Sequence, residues 1–276
     1  MKPINNNNMN TKPFLKIIFS VGFLALVWSF KPSESHDYKR EMMHDAFQAK
    51  ELLSYRIHYG VLNAGTVDMS VSKPLNIHNK KAYNFKIEGR TNSSFNWLYN
   101  VRDKFESWVD ASSHTPLRYA KTVRENDYYH QDVAIYNHKE KYLRNKEGKI
   151  NITQNTQDLA SAIYFMRQLD FKNKSLNYAY PMDIYIDNEI YNLKVVYKGK
   201  ETIQTDLGKV RCIKLQPEMV VDRVFKEKDA VTVWVSDDKN HIPVRIEAAI
   251  YVGSLKVDLT SYKNLKHPFH SLLKKK

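Results

Sequence analysis

The chain has 276 residues, of which 42% are hydrophobic and 12% aromatic, with eight glycines, nine prolines and a formal charge of +13. That balance excludes a disordered or collagen-like chain and leaves room for one large β domain or two ordinary ones. A single cysteine, Cys212, excludes an internal disulfide and any CxxC metal or redox pair.

Residues 1–30 read as a targeting segment. Lys2, Lys12 and Lys16 precede an apolar run from Ile17 to Trp28, which is about the length of a signal-peptide core and short of a bilayer span. No A-x-A triplet precedes Lys31-Pro32-Ser33, so the segment is either a cleaved signal peptide or an N-terminal anchor. No cysteine follows the apolar core, which argues against lipid modification there. Without these 30 residues the chain keeps 40 basic and 30 acidic residues. They are interspersed, and the only basic block is Lys274-Lys275-Lys276, so the pattern is that of a solvated, mildly basic surface. Residues 31–50 form a polar linker.

From Leu52 onward apolar residues recur at every second position, the period of a half-buried strand. Leu53, Tyr55, Ile57 and Tyr59 share one parity, and Val67, Met69 and Val71 continue it after Gly60 and Asn63-Ala64-Gly65. That predicts a hairpin with turn chemistry at those small residues. Further strands are predicted at Ala82–Gly89, Asp103–Asp110, Leu117–Arg124, Tyr129–Tyr136 and Lys141–Arg144, punctuated by Asn92, Pro116, Asn126, Asn137 and Gly148. Eighteen tyrosines and twelve phenylalanines suit such strands.

One helix interrupts them, Asp158 to Leu169. Leu159, Ala162, Ile163, Met166 and Leu169 form an apolar stripe, Ser161, Tyr164 and Gln168 lie opposite, and Asn155, Thr156 and Asp158 are candidate caps. Strands resume at Asp183–Ile186, Tyr191–Tyr197 and Gly208–Gln216, the last carrying Cys212 as a packed thiol. A meander closes the chain from Ala230 to Tyr262, with Val231, Val233 and Val235, then Val244, Ile246 and Ala248, then Leu255, Val257 and Leu259. Trp234 lies on the parity opposite the valines, either as second-face core or as the lining of a ligand cavity. Lys266–Lys276 reads as a weakly ordered basic tail.

The motifs of common chemistry do not occur. Ten histidines are dispersed without an HExxH or H-x-H pair. Asp237-Asp238 has no EF-hand spacing and reads as a polar hairpin closure. There is no G-x-S-x-G elbow, no S-x-x-K and no glycine-rich phosphate loop. Catalysis therefore has no support in the sequence, and neither a metal nor a cofactor is expected. Strand aromatics beside basic residues, as at Tyr128-Tyr129-His130, are expected to pack a core, and nucleic acid is not an expected partner.

With these residues in hand, the chain resembles the bacterial family called domain of unknown function 3108, over approximately Leu52 to Tyr262. The markers are Tyr55-Arg56-Ile57-His58-Tyr59-Gly60 with Asn63-Ala64-Gly65, then Trp108-Val109-Asp110. Next comes the D-x-x-S-A-x-Y-x-x-R pattern from Asp158 to Arg167, and last Trp234-Val235-Ser236-Asp237-Asp238 with Ile242-Pro243-Val244-Arg245-Ile246. The resemblance implies an exported envelope protein without an assigned activity, and it carries over no catalytic residues. The W-V-x-D…I-P-V hairpin is similar, more loosely, to lipoprotein-carrier and periplasmic-sensor half-barrels. That likeness implies a curved antiparallel sheet closed by helices over a hydrophobic cavity for acyl chains; this chain has one strong helix where such carriers use several.

The expected architecture is mainly β: a large curved antiparallel sheet, half-barrel or open barrel, packed on one main amphipathic helix within a single domain at 51–265. The expected function is a non-catalytic module of the periplasm or cell envelope that binds a hydrophobic or lipid-like ligand between sheet and helix. A structural or scaffold protein with a filled core is the alternative. Candidate cavity residues are Leu159, Ile163, Met166, Trp234, Tyr55 and Trp108. Expected partners are a lipid or lipoprotein-like ligand, an envelope protein, or a membrane surface.

Overall fold

Alternation with period two puts Leu53 and Tyr55 of β1 (Leu52–Tyr59) on one face, with Val67, Met69 and Val71 of β2 (Leu62–Val71) beside them. The computed structural model, which describes residues 46–77, 79–97, 99–218, 231–249 and 253–273, continues that face through the described strands. The targeting segment, residues 31–45 of the linker, and Lys274–Lys276 lie outside the described residues.

Next along the sheet come β4 (Lys80–Thr91), β5 (Arg102–Asp110), β6 (Pro116–Glu125) and β7 (Tyr128–Asn137), burying Phe85, Ile87, Phe105, Val109, Tyr119, Val123, Ala134 and Tyr136. The short β3 (Leu75–Ile77) pairs only with β4. Beyond β7, β8 (Tyr142–Asn145) pairs with the four-residue β9 (Gly148–Asn151). In the other direction from β1 lie β16 (Ser254–Lys263), β15 (Pro243–Ala249), β14 (Val231–Ser236), β13 (Gly208–Pro217), β12 (Glu189–Thr205), β11 (Ala179–Ile186) and the two-residue β10 (Gln157–Asp158). All described pairings are antiparallel except β10 with β11. The expected mainly β fold is present: one large sheet that curls without closing, ending at β9 and β10, which are neighbours in sequence but not hydrogen-bonded to each other.

Three local expectations are corrected. Asn63-Ala64-Gly65 is part of β2, where the register with β1 shifts between Ile57 and His58, so the extra residue makes a bulge and the turn is at Gly60-Val61. Gly65 is needed for close approach: a Cβ there would sit 2.4 Å from the Arg90 carbonyl oxygen. Second, the strand expected to stop at Tyr197 runs on to Thr205. Lys198-Gly199-Lys200 is a bulge, with Gly199 at φ +92°, that bends the β12–β13 hairpin. The hairpin tip then returns over the outer face, where Asp206 pairs with Arg56 of β1 at 2.8 Å and the Gln204 carbonyl accepts from Arg245 Nη2 at 3.4 Å. Third, the C-terminal segment is docked as far as Leu273. Leu272 bridges to Val210, Leu273 N donates to the Lys209 carbonyl at 2.8 Å, and the buried Ser271 hydroxyl donates to Asp238 Oδ2 at 2.8 Å. Asp238 also caps its own hairpin, accepting from Asn240 N at 3.0 Å.

Helix α1 (Leu159–Met166) starts as predicted at Asp158, which forms a reciprocal capping box with Ser161. Its orientation differs from the expected stripe. Every residue of α1 is buried except Ile163, which is half-buried, and the face expected to be wet is the better covered one. Tyr164 stacks on Phe85 of β4 with ring centroids 4.0 Å apart, and Phe47 meets Tyr164 edge-on at 5.5 Å. The helix lies inside the curl, against β4 and β5 on one side and β10 and β11 on the other, so both faces meet protein. A polar stripe on such a helix finds partners instead of water.

At the carboxyl end of α1 sits Arg167, the largest fully buried side chain among the described residues. Its Nη1 and Nη2 donate to the two carboxylate oxygens of the equally buried Glu51 at 2.6 and 2.9 Å, Nη2 also to the Ala46 carbonyl at 2.9 Å, and Nε to the Asn240 carbonyl at 3.0 Å. Removing one partner strands a charge away from water. Glu51→Gln or Arg167→Met is expected to cost about 3–5 kcal/mol in denaturant unfolding, and the double variant Glu51→Leu/Arg167→Met to recover part of that loss. An unchanged unfolding midpoint in the single variants would remove the pair from the fold's foundations.

Candidate functional site

The space between helix and sheet is where the sequence places a cavity, and six residues were expected to line it. Leu159 and Met166 of α1 are buried there and Ile163 is half-buried. Tyr55 is buried in the same core, its hydroxyl donating to the Pro243 carbonyl at 3.0 Å. The two tryptophans are elsewhere. Trp108 and Trp234 are half-buried on the outer face of β5 and β14, between buried neighbours of the opposite parity. The Arg118 guanidinium lies 4.5 Å from the Trp108 ring centroid. Trp234 Nε1 donates to Glu201 Oε1 at 2.6 Å, with Lys214 Nζ 5.6 Å from its ring. Leu159, Met166 and Tyr55 thus share one core, Ile163 and Trp234 pack against it half-buried, and each tryptophan also has a cation beside its ring.

Beside the apolar core, the β10–β11 end of the sheet faces β5 to β8 across a polar seam. Ser107 of β5 donates to Asp158 Oδ2 at 2.6 Å, while Asp158 Oδ1 accepts from Ser161 N at 2.9 Å. Tyr185 of β11 donates to Asp132 of β7 at 2.9 Å and accepts from Asn145 Nδ2 of β8 at 2.9 Å. Lys121 of β6 forms an ion pair with Asp187, and Thr153 donates to Asp183 of β11 at 2.7 Å. Asp132 Oδ1 and the Tyr136 hydroxyl meet no hydrogen-bond partner among the described residues. The seam joins the two ends of the sheet by side chains where backbone pairing stops.

Burial sets the protonation of these groups. The Asp158 carboxyl is pushed up to about 7, chiefly by burial, which the Ser107 and Ser161 hydrogen bonds only partly offset. Asp103 on the inner face of β5 is likewise raised to about 7 by burial, opposed by the Arg124 amide. The hydroxyls of Tyr119 and Tyr136 are raised far above the ordinary tyrosine range by burial, with Asp158 adding repulsion. Near pH 7 the Asp158 carboxyl is in the middle of its titration, while Tyr119 and Tyr136 keep their protons and Tyr185 acts as a hydrogen-bond donor. Among the described residues no group of three His, Cys, Asp or Glu side chains could hold a metal.

Two further features were not found by sequence reasoning. A surface cleft of about 430 Å³ opens beside Tyr136, its apolar lining from Leu117, Ile135 and Tyr142 and its charges from Lys80, Lys139 and Arg144. The Glu51–Arg167 pair joins the first residue of the expected domain to the last position of the helix pattern, 116 residues away, and no local pattern marks it.

The comparisons with known proteins agree with this architecture. The family model for proteins of unknown function DUF3108 matches residues 54–260. The chain belongs to the DUF3108 family. Among solved structures, a β-barrel-like protein of domain of unknown function DUF1849 from Brucella abortus superposes with a TM-score of 0.53 at 9% identity, covering 81% of this chain and 100% of that one. That likeness extends to the fold alone. A protein proposed to be a lipoprotein, from Parabacteroides distasonis, gives 0.34 at 11% identity, over 80% of this DUF3108 chain and 100% of its own. The search of curated proteins found no match.

The raised carboxyls predict a pH dependence. A carboxyl whose folded pKa exceeds its unfolded value favours folding fully below the unfolded value, and that contribution is lost as pH rises through the folded one. Thermal stability is therefore expected to fall between pH 3.8 and about 7 through Asp158, with Asp103 adding to the trend. Asp158→Asn, which mimics the protonated acid and keeps a capping oxygen, should flatten that slope and melt several degrees higher than wild type at pH 8. Identical slopes for the two proteins would assign the dependence elsewhere.

Proposed function

We propose that this DUF3108 protein is an exported, non-catalytic module of the cell envelope that acts through its outer surfaces, as a scaffold or adaptor. Export is supported by the three lysines followed by a short apolar run within residues 1–30. The observation that carries the reading is the content of the curl. Phe85 stacks on Tyr164, Phe47 closes over that pair, and α1 is buried on all sides but one half-buried residue, so the space an acyl chain would take is occupied by the chain's own side chains. Asp158, Tyr185, Asp183 and Lys121 nearby pair within the protein, which suits holding the sheet's ends together.

A second reading is supported by the cleft beside Tyr136. Three cations, an apolar wall and no carboxylate in its lining suit an amphiphilic anion held on the outside of the sheet.

Protein purified from its own host and extracted with organic solvent separates these readings by mass spectrometry. The scaffold reading expects no stoichiometric lipid. A lipid retained by wild type and lost from Arg144→Glu would support the cleft. A lipid retained by both, and also by a variant lacking the exposed Val61 and Trp97 side chains, would point to the interior and overturn the filled-core reading.

A further inference from the structure

Antiparallel order brings the β1–β2, β4–β5 and β6–β7 connections to one end of the sheet. They are laced together there. Asn92 N and Nδ2 donate to the Ala64 and Asn63 carbonyls, each at 3.0 Å, and Asn126 N donates to the Asn100 carbonyl at 2.8 Å while its own Oδ1 accepts from Asn100 N at 2.8 Å. From this braced rim project Val61, 99% exposed, and Trp97, 82% exposed, with Leu62, Tyr128 and Tyr129 also exposed. Large apolar side chains at such exposure, gathered on adjoining turns, are unlike the scattered apolar residues of an ordinary surface. Asp127 is the one acid in the three turns.

Immediately behind the rim, on the outer face, stands a row of arginines. Arg90 of β4 is directly opposite Arg102 of β5. The β5–β6 register, with Lys104 opposite Thr122 and Val101 bridged to Glu125, sets Arg102 level with Arg124 of β6. All three are exposed. Their compensation is thin: Arg90 lies 3.8 Å from Asp68, Arg102 donates to the Val101 carbonyl at 3.0 Å, and the Arg124 guanidinium sits 5.3 Å from the Tyr129 ring. Like charges across adjacent strands oppose pairing, and a sheet of anionic headgroups would reverse that penalty.

We infer that this end docks on an anionic phospholipid surface, with Val61, Leu62 and Trp97 entering the interfacial layer and Arg90, Arg102 and Arg124 meeting the headgroup phosphates. Aromatic and aliphatic tips backed by cations match the layering of a bilayer, apolar inside and anionic outside. The geometry also sets the orientation. Residues 46–51 enter at the opposite end of the strands, where Lys50 N donates to the Val71 carbonyl. The rim therefore faces away from the point where the amino-terminal segment arrives. The inference goes beyond the scaffold reading and does not require a filled core.

The test uses the chain as its host exports it, carrying a bimane label at Val61→Cys or, at the opposite end of the sheet, at Lys139→Cys. The native Cys212 is buried, with its thiol pushed up to about 12 by that burial, and stays unlabelled. Vesicles of phosphatidylcholine with phosphatidylglycerol carry brominated acyl chains as short-range quenchers. Quenching is expected at position 61 and not at 139. It should be lost several-fold in Trp97→Ser, in the triple variant Arg90→Glu/Arg102→Glu/Arg124→Glu, and in vesicles of phosphatidylcholine alone, with melting temperatures unchanged. Quenching at neither position, at 139, or at 61 regardless of the arginines overturns the proposal and leaves the rim to a protein partner. The lipid-extraction result is read separately, so either conclusion can fail while the other stands.

Discussion

A guanidinium out of reach of water fixes the arrangement of everything around it. Arg167 at the end of α1 has to satisfy its donors inside the protein, and it does so with Glu51, Ala46 and Asn240, which belong to the amino-terminal approach and the β14–β15 turn. Desolvating both charges is costly, and the bidentate geometry with its two added carbonyls is what makes the arrangement tolerable. The helix cannot shift along the sheet without breaking all of these contacts at once. The same demand holds Phe47 over Tyr164, because residues 46–51 are pinned on either side of it. The ion pair thus couples the entry of the chain to the seat of its helix.

The polar seam works on the other side of the helix by a related logic. Backbone pairing stops at β9 and β10, and Asp132, Tyr185, Asn145 and Asp183 hold the gap with side chains. Curvature of the sheet follows from β-bulges at Gly65 and Gly199 and from the twist of long strands. The seam then limits how far the curl can open. Protonation of Asp158 belongs to this closure: a neutral acid accepts from Ser107 and Ser161 without carrying a charge into the core.

The strands were legible because one buried face imposes period two, and Leu53 to Tyr59, Tyr119 to Val123 and Val231 to Val235 show it without interruption. Family membership was legible from the order of its short patterns. The helix was legible as a helix but not in its orientation, because amphipathic reasoning assumes water on one side, and α1 has protein on both. For Trp234 the opposite parity was legible, but the choice between second-face packing and cavity lining was not. A large aromatic on the outer parity of a strand can be half-buried beside arginine or lysine stems, as Trp108 and Trp234 are. Bulges at Lys198-Gly199-Lys200 and Asn63-Ala64-Gly65 look like turns in sequence, since both use glycine. The Glu51–Arg167 contact spans 116 residues, and nothing local marks it.

The edges of the sheet have a further consequence. An open sheet of this width presents two free strand margins, and each is an invitation for another chain to add itself by backbone pairing. Here one margin is a four-residue strand and the other a two-residue strand turned into the interior beside the helix. Neither gives a newcomer a long enough template to zip along. That truncation protects the molecule from fibrous self-association.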